Sequence, residues 1–369
     1  MLFSALRTAS FRNLADTEVD TGGKDVFLIG ENGQGKTNFL EAVYFCSYAS
    51  SFRGAPDRDL ARSGGTGCSA AARFSDSLYN QVLIRFERGR KTVYLDGKRV
   101  HDRRDLLAVV PCIVFCHEDM EFVAGSPERR RWFFDQNQSL YDPVYLDDLR
   151  KYRQTLKTRN ALLRKAGLTG GNARDMLDAI DPQIVRYGLA LIEKRREAAA
   201  HFSRAFGSLY AEVSGIRHIG IRYLSSWKAE TYAGIIAGLA EKREQDLASG
   251  ITLTGPHRDR YIFNREGLEF CGTASTGQRR LLALLLRVAQ AQRFREITGK
   301  QPVFLLDDVL LELDPEKRRR FLAVMPEYDQ AFYTFLPEEP FERYRKPDTL
   351  VYYVMNGRLY PYSAAGFFT

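Results

Sequence analysis

The sequence predicts an α/β fold in which helices flank a mixed sheet and a compact helical lobe is inserted into the chain. Three observations in the 369 residues support this prediction. A glycine-rich loop joins a buried strand to a helix near the N-terminus, and an apolar strand ending in two aspartates lies near the C-terminus. Between them, apolar residues recur at helical spacing through much of residues 127–213. The two strand motifs therefore belong to the sheet, and the helical stretch separates them.

The first motif, residues 30–37, is a phosphate-binding loop of the form G-x-x-x-x-G-K-[ST]. Residues 25–29 predict a buried strand before it and residues 38–45 predict a helix after it, which is the context that such a loop requires. Lys36 would reach the outer phosphates of ATP as a catalytic cation, and the Thr37 hydroxyl would meet Mg²⁺. The predicted ATP-binding residues of this motif are Gly30, Glu31, Asn32, Gly33, Gln34, Gly35, Lys36, Thr37 and Asn38.

The second motif is the apolar strand at residues 303–306, which leads into Asp307 and Asp308. Asp307 would hold, through water, the same Mg²⁺ that Thr37 meets. Asp308 would be the carboxylate beside the attacking water, acting as the general base of phosphoryl transfer. Paired acids after a strand can also form a solvated turn, so this prediction depends on the phosphate-binding loop upstream.

A third motif, S-T-G-Q at residues 275–278, comes just before a predicted helix at residues 279–293. Ser275, Gly277 and Gln278 would offer a hydroxyl and free backbone N–H groups at the positive end of that helix, with Ser275 in a catalytic role. One chain seldom folds two phosphate-binding surfaces onto one nucleotide. The simplest arrangement is a head-to-tail homodimer in which Ser275 reaches the γ-phosphate held by Lys36 of the other copy. The alternative is an ordinary capped helix.

The three motifs together resemble the ATP-binding-cassette (ABC) ATPase heads of the SMC-like class, and the whole chain resembles the RecF family of bacterial recombination mediators. Further matching segments are Phe11-Arg12-Asn13, the S-P-E-R-R-R-W-F-F-D run at residues 126–135, Arg159-Asn160-Ala161-Leu162-Leu163, Gly255-Pro256-His257-Arg258-Asp259 and Glu312-Leu313-Asp314. The cassette's switch histidine is absent, and Thr334 stands in its place at the end of a predicted strand.

The resemblance implies an ABC-type P-loop ATPase head that uses ATP and Mg²⁺ and hydrolyses ATP weakly, with stimulation by DNA. It also implies a role in DNA recombination and replication-gap repair. The implied partners are single-stranded and double-stranded DNA at gaps or junctions and the RecR, RecO and RecA proteins. From the same resemblance we expect a cytoplasmic protein that forms a homodimer when it binds ATP and has no membrane partner.

Composition agrees with an anionic polymer as partner, because Lys and Arg outnumber Asp and Glu by 54 to 46, a net charge of +8. Basic residues cluster after residue 128, along residues 150–165 and at residues 194–196, although each cluster could equally be a solvated helix face. The predicted DNA-binding residues are Arg129, Arg130, Arg131, Lys157 and Arg159. No recognition-helix motif is present, so we expect contacts to the DNA backbone that are indifferent to sequence.

The remaining elements follow from local patterns. Alternating runs around Asp96-Gly97 predict a hairpin, and the apolar stripe of residues 185–213, which breaks at Arg195 and Arg196, predicts a helix packed against neighbouring helices. A glycine-rich stretch at residues 167–172 should separate two helices, residues 251–253 should return to the sheet and residues 350–354 should form a late strand. The predicted domains are an ATPase lobe at 1–126, a mainly helical lobe at 127–250 and a continued ATPase lobe at 251–369.

Two other functions fit part of this pattern. One is a transporter-class ABC subunit that powers a membrane partner, but the missing switch histidine, the S-P-E-R-R and G-P-H-R-D segments and the basic excess weigh against it. The other is a structural, ATP-gated DNA clamp with negligible turnover.

Overall fold

A computed structural model describes residues 2–102, 104–107, 109–169, 173–310 and 313–362. Several predicted features lie outside these residues, namely Gly170, Gly171 and Asn172 of the inter-helix turn, Glu312 of a family-matched segment, and the tail from residue 363. Within the described residues, no helix is both long and apolar enough to cross a membrane.

The chain packs as two compact units. Unit 1 comprises Met1–Glu118 and Ala291–Thr369, and unit 2 comprises Asp119–Gln290. The sequence-based division after residues 126 and 250 differs from these units because residues 251–290 pack with the helical region.

Unit 1 contains an antiparallel sheet in the strand order β2-β1-β4-β5-β6-β7. Its strands are β1 (Leu2–Ala9), β2 (Thr17–Asp20), β4 (Gly67–Ser75), β5 (Gln81–Glu87), β6 (Arg90–Leu95) and β7 (Lys98–Val100). The predicted hairpin is confirmed: Asp96 and Gly97 both have positive φ, 47° and 79°, as a tight turn between β6 and β7 requires.

The second sheet of unit 1 is mixed, in the order β15-β14-β3-β13-β12-β8. Its strands are β3 (Asp25–Ile29), β8 (Cys112–Phe115), β12 (Val303–Leu306), β13 (Gln330–Phe335), β14 (Leu350–Met355) and β15 (Arg358–Pro361). All neighbouring pairs are parallel except β14 with β15. The helices that lie wholly in unit 1 are α1 (Lys36–Tyr48), α2 (Arg104–Leu107) and α10 (Pro315–Val324). The predicted mixed sheet and its helices are therefore confirmed.

Unit 2 is mainly helical, with a small antiparallel sheet in the order β11-β10-β9. Its helices are α3 (Pro127–Ser139), α4 (Pro143–Thr169), α5 (Ala173–Ser214), α6 (Tyr232–Glu241), α7 (Arg243–Ser249) and α8 (Phe270–Thr273), and α9 (Thr276–Thr298) begins in it. Its strands are β9 (Ile219–Leu224), β10 (Arg260–Arg265) and β11 (Leu268–Glu269). The apolar stripe of α5 packs against α4 and α6 around Trp227, which confirms the predicted packing against neighbouring helices.

The break in that stripe at Arg195 has a structural cause. The Arg195 guanidinium is buried and pairs with two carboxylates, Asp135 of α3 at 2.8 Å and Asp259 at 3.1 Å. Tyr145 and Tyr223 donate to the same two carboxylates. Two of the family-matched segments, residues 126–135 and 255–259, therefore meet in one buried ionic network.

The prediction of a strand at residues 251–253 is wrong. The segment is irregular because its polar groups bond to side chains of α4 and α7 rather than to a neighbouring strand. The Thr252 N–H donates to Asn160 Oδ1 at 2.8 Å, and the Leu253 N–H donates to Asp246 Oδ1 at 3.0 Å. The chain re-enters a sheet only at Arg260, in the small sheet of unit 2.

His257 is held in its neutral form between α4 and this segment. Its Nδ1 lies 2.8 Å from the Tyr152 hydroxyl and its Nε2 lies 2.8 Å from the Thr252 carbonyl oxygen. Because that carbonyl can only accept, Nε2 carries the proton and Nδ1 accepts from the tyrosine. Burial lowers the pKa of His257 to about 4.

We expect unit 2 to lose stability as the pH falls from 7 to 5, and His257→Gln to reduce that loss by about 2 kcal/mol. The unfolded histidine takes up a proton near its ordinary pKa, whereas the folded one does not until about pH 4. This stabilisation is therefore complete above pH 6.5 and declines as the pH falls. Urea unfolding followed by tryptophan fluorescence measures it, because Trp132 and Trp227 are the chain's two tryptophans and both lie in unit 2.

The control is His218→Asn, at an exposed histidine with φ of 65° that asparagine tolerates. It should leave the pH dependence of the parent unchanged. If the free energy of unfolding falls equally between pH 7 and pH 5 in the parent and in His257→Gln, the neutral state of buried His257 is not the cause of the pH dependence.

Candidate ATP-binding site

The glycine-rich loop connects the carboxyl end of β3 to the N-terminus of α1. Gly33 and Gly35 have φ of 79° and 114°, a conformation that other residues rarely adopt. No side chain caps α1, which begins at Lys36 and has no acidic residue in its first turn. Its first N–H groups are thus available to an anion, as the sequence predicts for a phosphate site.

Lys36 folds over this loop. Its ammonium is buried and donates to the carbonyl oxygens of Gly30 at 2.6 Å and Glu31 at 3.2 Å. A cation is therefore held at the mouth of the loop, where the outer phosphates of a nucleotide would bind.

The loop is braced from two sides by residues whose role the sequence did not reveal. Asn13 donates to the Gly33 carbonyl at 3.1 Å and accepts from the Asn38 side chain at 2.8 Å. The turn between β14 and β15 holds the other side, where the N–H groups of Asn356 and Gly357 donate to the side chain and the carbonyl of Gln34 at 2.7 and 2.9 Å. The family-matched Phe11-Arg12-Asn13 segment and the Asn-Gly dipeptide were the available signals.

Gly357 explains how closely that turn approaches the loop. A Cβ at this position would lie 1.9 Å from the Asn13 carbonyl oxygen, so only glycine fits. The bracing fixes the loop before a ligand arrives, which reduces the conformational cost of binding.

The predicted pair of Mg²⁺ ligands lies together although the two residues are far apart in sequence. The Thr37 hydroxyl donates to Asp307 Oδ1 at 2.9 Å. Burial, followed by the neighbouring Asp308, raises the pKa of Asp307 to about 6. A hydroxyl and a carboxylate are oxygen ligands of the kind Mg²⁺ takes, and a cation there would offset the repulsion between two adjacent, partly buried carboxylates. The residues therefore fit the ion.

Asp308 is oriented by Thr334. The Asp308 N–H donates to Thr334 Oγ1 at 2.8 Å, and that hydroxyl lies 2.7 Å from Asp308 Oδ1 and 3.2 Å from Asp307 Oδ1. Asp308 itself has a φ of 54°. The Thr334 hydroxyl thus lies within hydrogen-bond distance of both acidic side chains.

Ser275 lies in unit 2, where it is exposed and caps α9. Its hydroxyl accepts from the Gln278 N–H at 3.3 Å, and the Gln278 side chain accepts from the Ser275 N–H at 2.8 Å. This reciprocal pair is a capping box. The space beside Gly277 is open, because no described atom outside its two chain neighbours and the backbone of α9 itself lies within 4 Å of where a Cβ would be. The helix end is therefore capped and also accessible to a ligand, so its phosphate-binding role stays a prediction.

The structure separates the five predicted DNA-binding residues. Arg129 and Lys157 are exposed, whereas Arg130 and Arg131 are partly buried and donate to the carbonyls of Tyr261 and Asp259 at 3.2 and 2.7 Å. These two arginines attach α3 to the segment that leads into β10.

Arg159 requires a correction, because it is fully buried. Its guanidinium pairs with Asp181 at 2.8 Å and Asp246 at 2.6 Å and donates to the Thr252 hydroxyl at 2.9 Å. It holds α4, α5 and α7 together and cannot meet a DNA phosphate in this fold. Arg195 of the third basic cluster is buried in the same manner.

The phosphate loop after a parallel strand, the paired carboxylates after another and the capped helix that begins in the S-T-G-Q motif define an ABC-type ATPase head of the SMC-like class. Comparison with known proteins agrees. The family described as RecF/RecN/SMC N terminal domain matches residues 2–356.

Among individual proteins, the DNA replication and repair protein RecF of Treponema pallidum (strain Nichols) is 40% identical over 352 residues, 94% of this chain and 98% of that protein. Two solved structures of the recombination mediator protein RecF in the RecFOR pathway, described as RecF-ATP and RecF-ATPrS, have TM-scores of 0.88 and 0.86. Each of the two structures is 26% identical in sequence to this chain, and each superposition covers 98% of this chain and 98% of the other one. The chain belongs to the RecF family.

Proposed function

We propose that this chain is an ATP-dependent DNA-binding protein of recombinational repair and replication-gap maintenance. ATP joins two copies head to tail, the dimer closes on junctions of single-stranded and double-stranded DNA, and slow, DNA-stimulated hydrolysis reopens it. The observation that carries the proposal is the cluster of Lys36, Thr37, Asp307 and Asp308 in one braced site. The relatives named RecF-ATP and RecF-ATPrS support ATP as the nucleotide.

The catalytic steps belong to side chains of unit 1. Lys36 leaves the loop carbonyls for the outer phosphates of ATP, and the N-terminus of α1 holds the phosphate charge. Thr37 and Asp307 would hold Mg²⁺, which supplies charge neutralisation on the phosphates when bound. Asp308, oriented by Thr334, accepts the proton of the attacking water. This orientation favours turnover over a purely structural clamp.

We infer the dimer from the exposure of the S-T-G-Q motif at residues 275–278. Ser275 and Gly277 face open space, and the bond from Gln278 to the Ser275 hydroxyl is long enough to be exchanged for a phosphate contact. Because a γ-phosphate bridges two copies only while it is intact, ATP binds the closed dimer more strongly than ADP does. That difference in affinity is what drives closure.

DNA is the proposed polymer partner, together with RecR, RecO and RecA proteins in the cytoplasm. The relatives are named for DNA replication and repair and for the RecFOR pathway, and the chain carries a net charge of +8. Arg129 and Lys157 remain the proposed contacts, because both are exposed. Contacts to phosphates alone would make binding independent of sequence and sensitive to salt.

The test is sedimentation velocity of the full chain with Mg²⁺ and ATP or ADP. We expect ATP to produce a dimer and Ser275→Arg to weaken that dimer by about 30-fold or more, because the bulky cation fills a central contact. ATP binding to the monomer should persist, since Lys36 and Thr37 are untouched. Ser208→Arg is the matched control, an exposed serine of unit 2 on α5.

Addition of gapped DNA extends the same experiment. Three results together would support the shared site: the Ser208→Arg variant still dimerises with ATP, the Ser275→Arg variant does not, and gapped DNA strengthens the dimer of the parent. A chain that stays monomeric with ATP under every condition would overturn the head-to-tail proposal.

A further inference from the structure

Unit 1 contains a cavity of about 530 Å³ that is separate from the nucleotide site. Phe27 of β3 and Tyr333 of β13 line it, and their rings meet edge to face with centroids 5.3 Å apart. The preceding residue on β13, Phe332, contacts Phe39 of α1. Because neighbouring side chains of a strand point to opposite faces, the cavity lies on the sheet face away from α1.

The cavity reaches from the amino end of β3 to its middle, whereas the phosphate loop follows the carboxyl end of that strand. Lys24, Asp25 and Phe27 line the cavity, and the loop begins after Ile29. The step of three residues from Phe27 to Gly30 spans about 10 Å of extended chain. A molecule in this cavity would therefore not compete with ATP for the loop.

The interior combines aliphatic and aromatic side chains in equal number. Leu310, Leu322, Met325 and Pro326 line it together with the rings of Phe27, Tyr328, Tyr333 and Tyr344. Methionine and leucine adapt to many shapes of apolar ligand. A volume of this size accepts a large apolar side chain together with its neighbours.

The mouth is cationic. Lys24, Arg343, Arg345 and Lys346 line the cavity and are all exposed. The two carboxylates in its lining already form ion pairs with cations of unit 1. Asp25 is buried and bonds to Lys346 at 2.9 Å and to the Tyr328 hydroxyl at 2.8 Å, and Glu327 pairs with Arg295 at 2.9 Å. Arg345 pairs with Glu342 at 3.5 Å, so two of the four cations, Arg345 and Lys346, are neutralised within unit 1. Among the described residues, Lys24 and Arg343 form no ion pair, and they leave the mouth with a positive charge.

We propose that this cavity is a docking site for an acidic segment of a partner protein that inserts an aromatic or large aliphatic side chain. Charge complementarity selects the acidic segment, and the mixed aliphatic and aromatic interior selects the inserted side chain. Single-stranded DNA fits the cavity less well, because its bases stack along an open series of aromatic side chains, whereas here four aliphatic side chains share the lining with the rings. This proposal does not depend on ATP-driven dimerisation.

Docking here would also touch the ATP machinery. Leu310 lines the cavity and lies two residues after Asp308. A bound segment would therefore contact the stretch of chain that leaves the paired carboxylates.

The test begins with selection of random twelve-residue peptides displayed on phage against the immobilised full chain. We expect the selected peptides to combine several Asp or Glu residues with Phe, Trp or Leu. A fluorescein-labelled selected peptide is then titrated with the chain and followed by anisotropy. Replacing its aromatic or aliphatic residue by alanine should weaken binding at least about tenfold.

The matched variants change charge alone. Lys24→Glu with Arg343→Glu should weaken binding of the same peptide at least about tenfold, whereas Arg99→Glu, an exposed arginine on β7, should not. Near-ultraviolet circular dichroism verifies that the variants remain folded.

Selected peptides without acidic residues, or peptides whose affinity is unchanged in the Lys24→Glu, Arg343→Glu variant, would overturn the proposal. A competition experiment with oligo(dT) of twenty nucleotides could also overturn the proposal. If oligo(dT) displaces the peptide from the parent and binds the double variant more weakly than the parent, the cavity is a site for single-stranded DNA.

Discussion

Asp308→Asn should slow ATP hydrolysis by about 10²–10⁴-fold while leaving ATP binding in place. Asparagine cannot accept a proton from water, so the chemical step loses its general base. The γ-phosphate would then persist in the shared site, and the ATP-bound dimer should remain closed instead of reopening. An ADP-release assay under steady state and sedimentation in ATP measure the two effects.

The structure makes this substitution a clean one. Asp308 has a φ of 54°, a conformation in which asparagine is tolerated almost as well as aspartate. Its backbone N–H would still donate to Thr334, and the amide oxygen can replace the carboxylate oxygen that lies 2.7 Å from the Thr334 hydroxyl. The change therefore removes basicity with little change in shape.

Asp348→Asn is the matched control. Asp348 is exposed in the turn before β14, a position where asparagine is tolerated as well as aspartate. Hydrolysis by this variant should equal that of the parent. If Asp308→Asn also hydrolyses ATP at the parent rate, the base is another group.

The chemistry of the ATP site could be predicted from sequence because phosphates and Mg²⁺ impose residue types at fixed positions. Thr37 and Asp307 are 270 residues apart, yet each was identified from its own local motif, and parallel strands bring their ends to one edge of the sheet. The bracing of the loop could not be predicted in this way. Gln34 bonds to Asn356 across 322 residues, and no motif describes that contact.

Charge was the least informative part of the sequence. Arg159 and Arg195 belong to basic clusters that predict solvated or DNA-facing surfaces, but both are buried against carboxylates. The partners lie between 22 and 87 residues from Arg159 and between 60 and 64 residues from Arg195, so local spacing gives no sign of them. The interruption of an apolar stripe by Arg195 was the one sequence signal that a buried partner exists.

Arg195→Met should destabilise unit 2 by about 3–5 kcal/mol, because it leaves Asp135 and Asp259 buried without their cation. Methionine keeps the unbranched shape and the helix propensity of the side chain, so the loss reflects charge and hydrogen bonds. Arg195 donates to Asp135 through Nε and Nη2, both at 3.0 Å, and to the Pro256 carbonyl at 2.7 Å. Burial already raises the pKa of Asp259 with the arginine present. Urea unfolding monitored by tryptophan fluorescence reports the change in unit 2.

The neighbouring Arg196 provides the control that separates a buried pair from an exposed one. Arg196 is 50% exposed and its partner Glu230 is 72% exposed, so Arg196→Met should cost less than about 1 kcal/mol. Adding Asp259→Asn to Arg195→Met should cost less than the sum of the single changes, with a coupling of about 1–3 kcal/mol, because one uncompensated charge is then removed. Equal costs for Arg195→Met and Arg196→Met would show that the α3–α5 network contributes no more than a surface ion pair. A large cost with additive behaviour would mean that Arg195 stabilises α5 through its packing rather than through the two carboxylates.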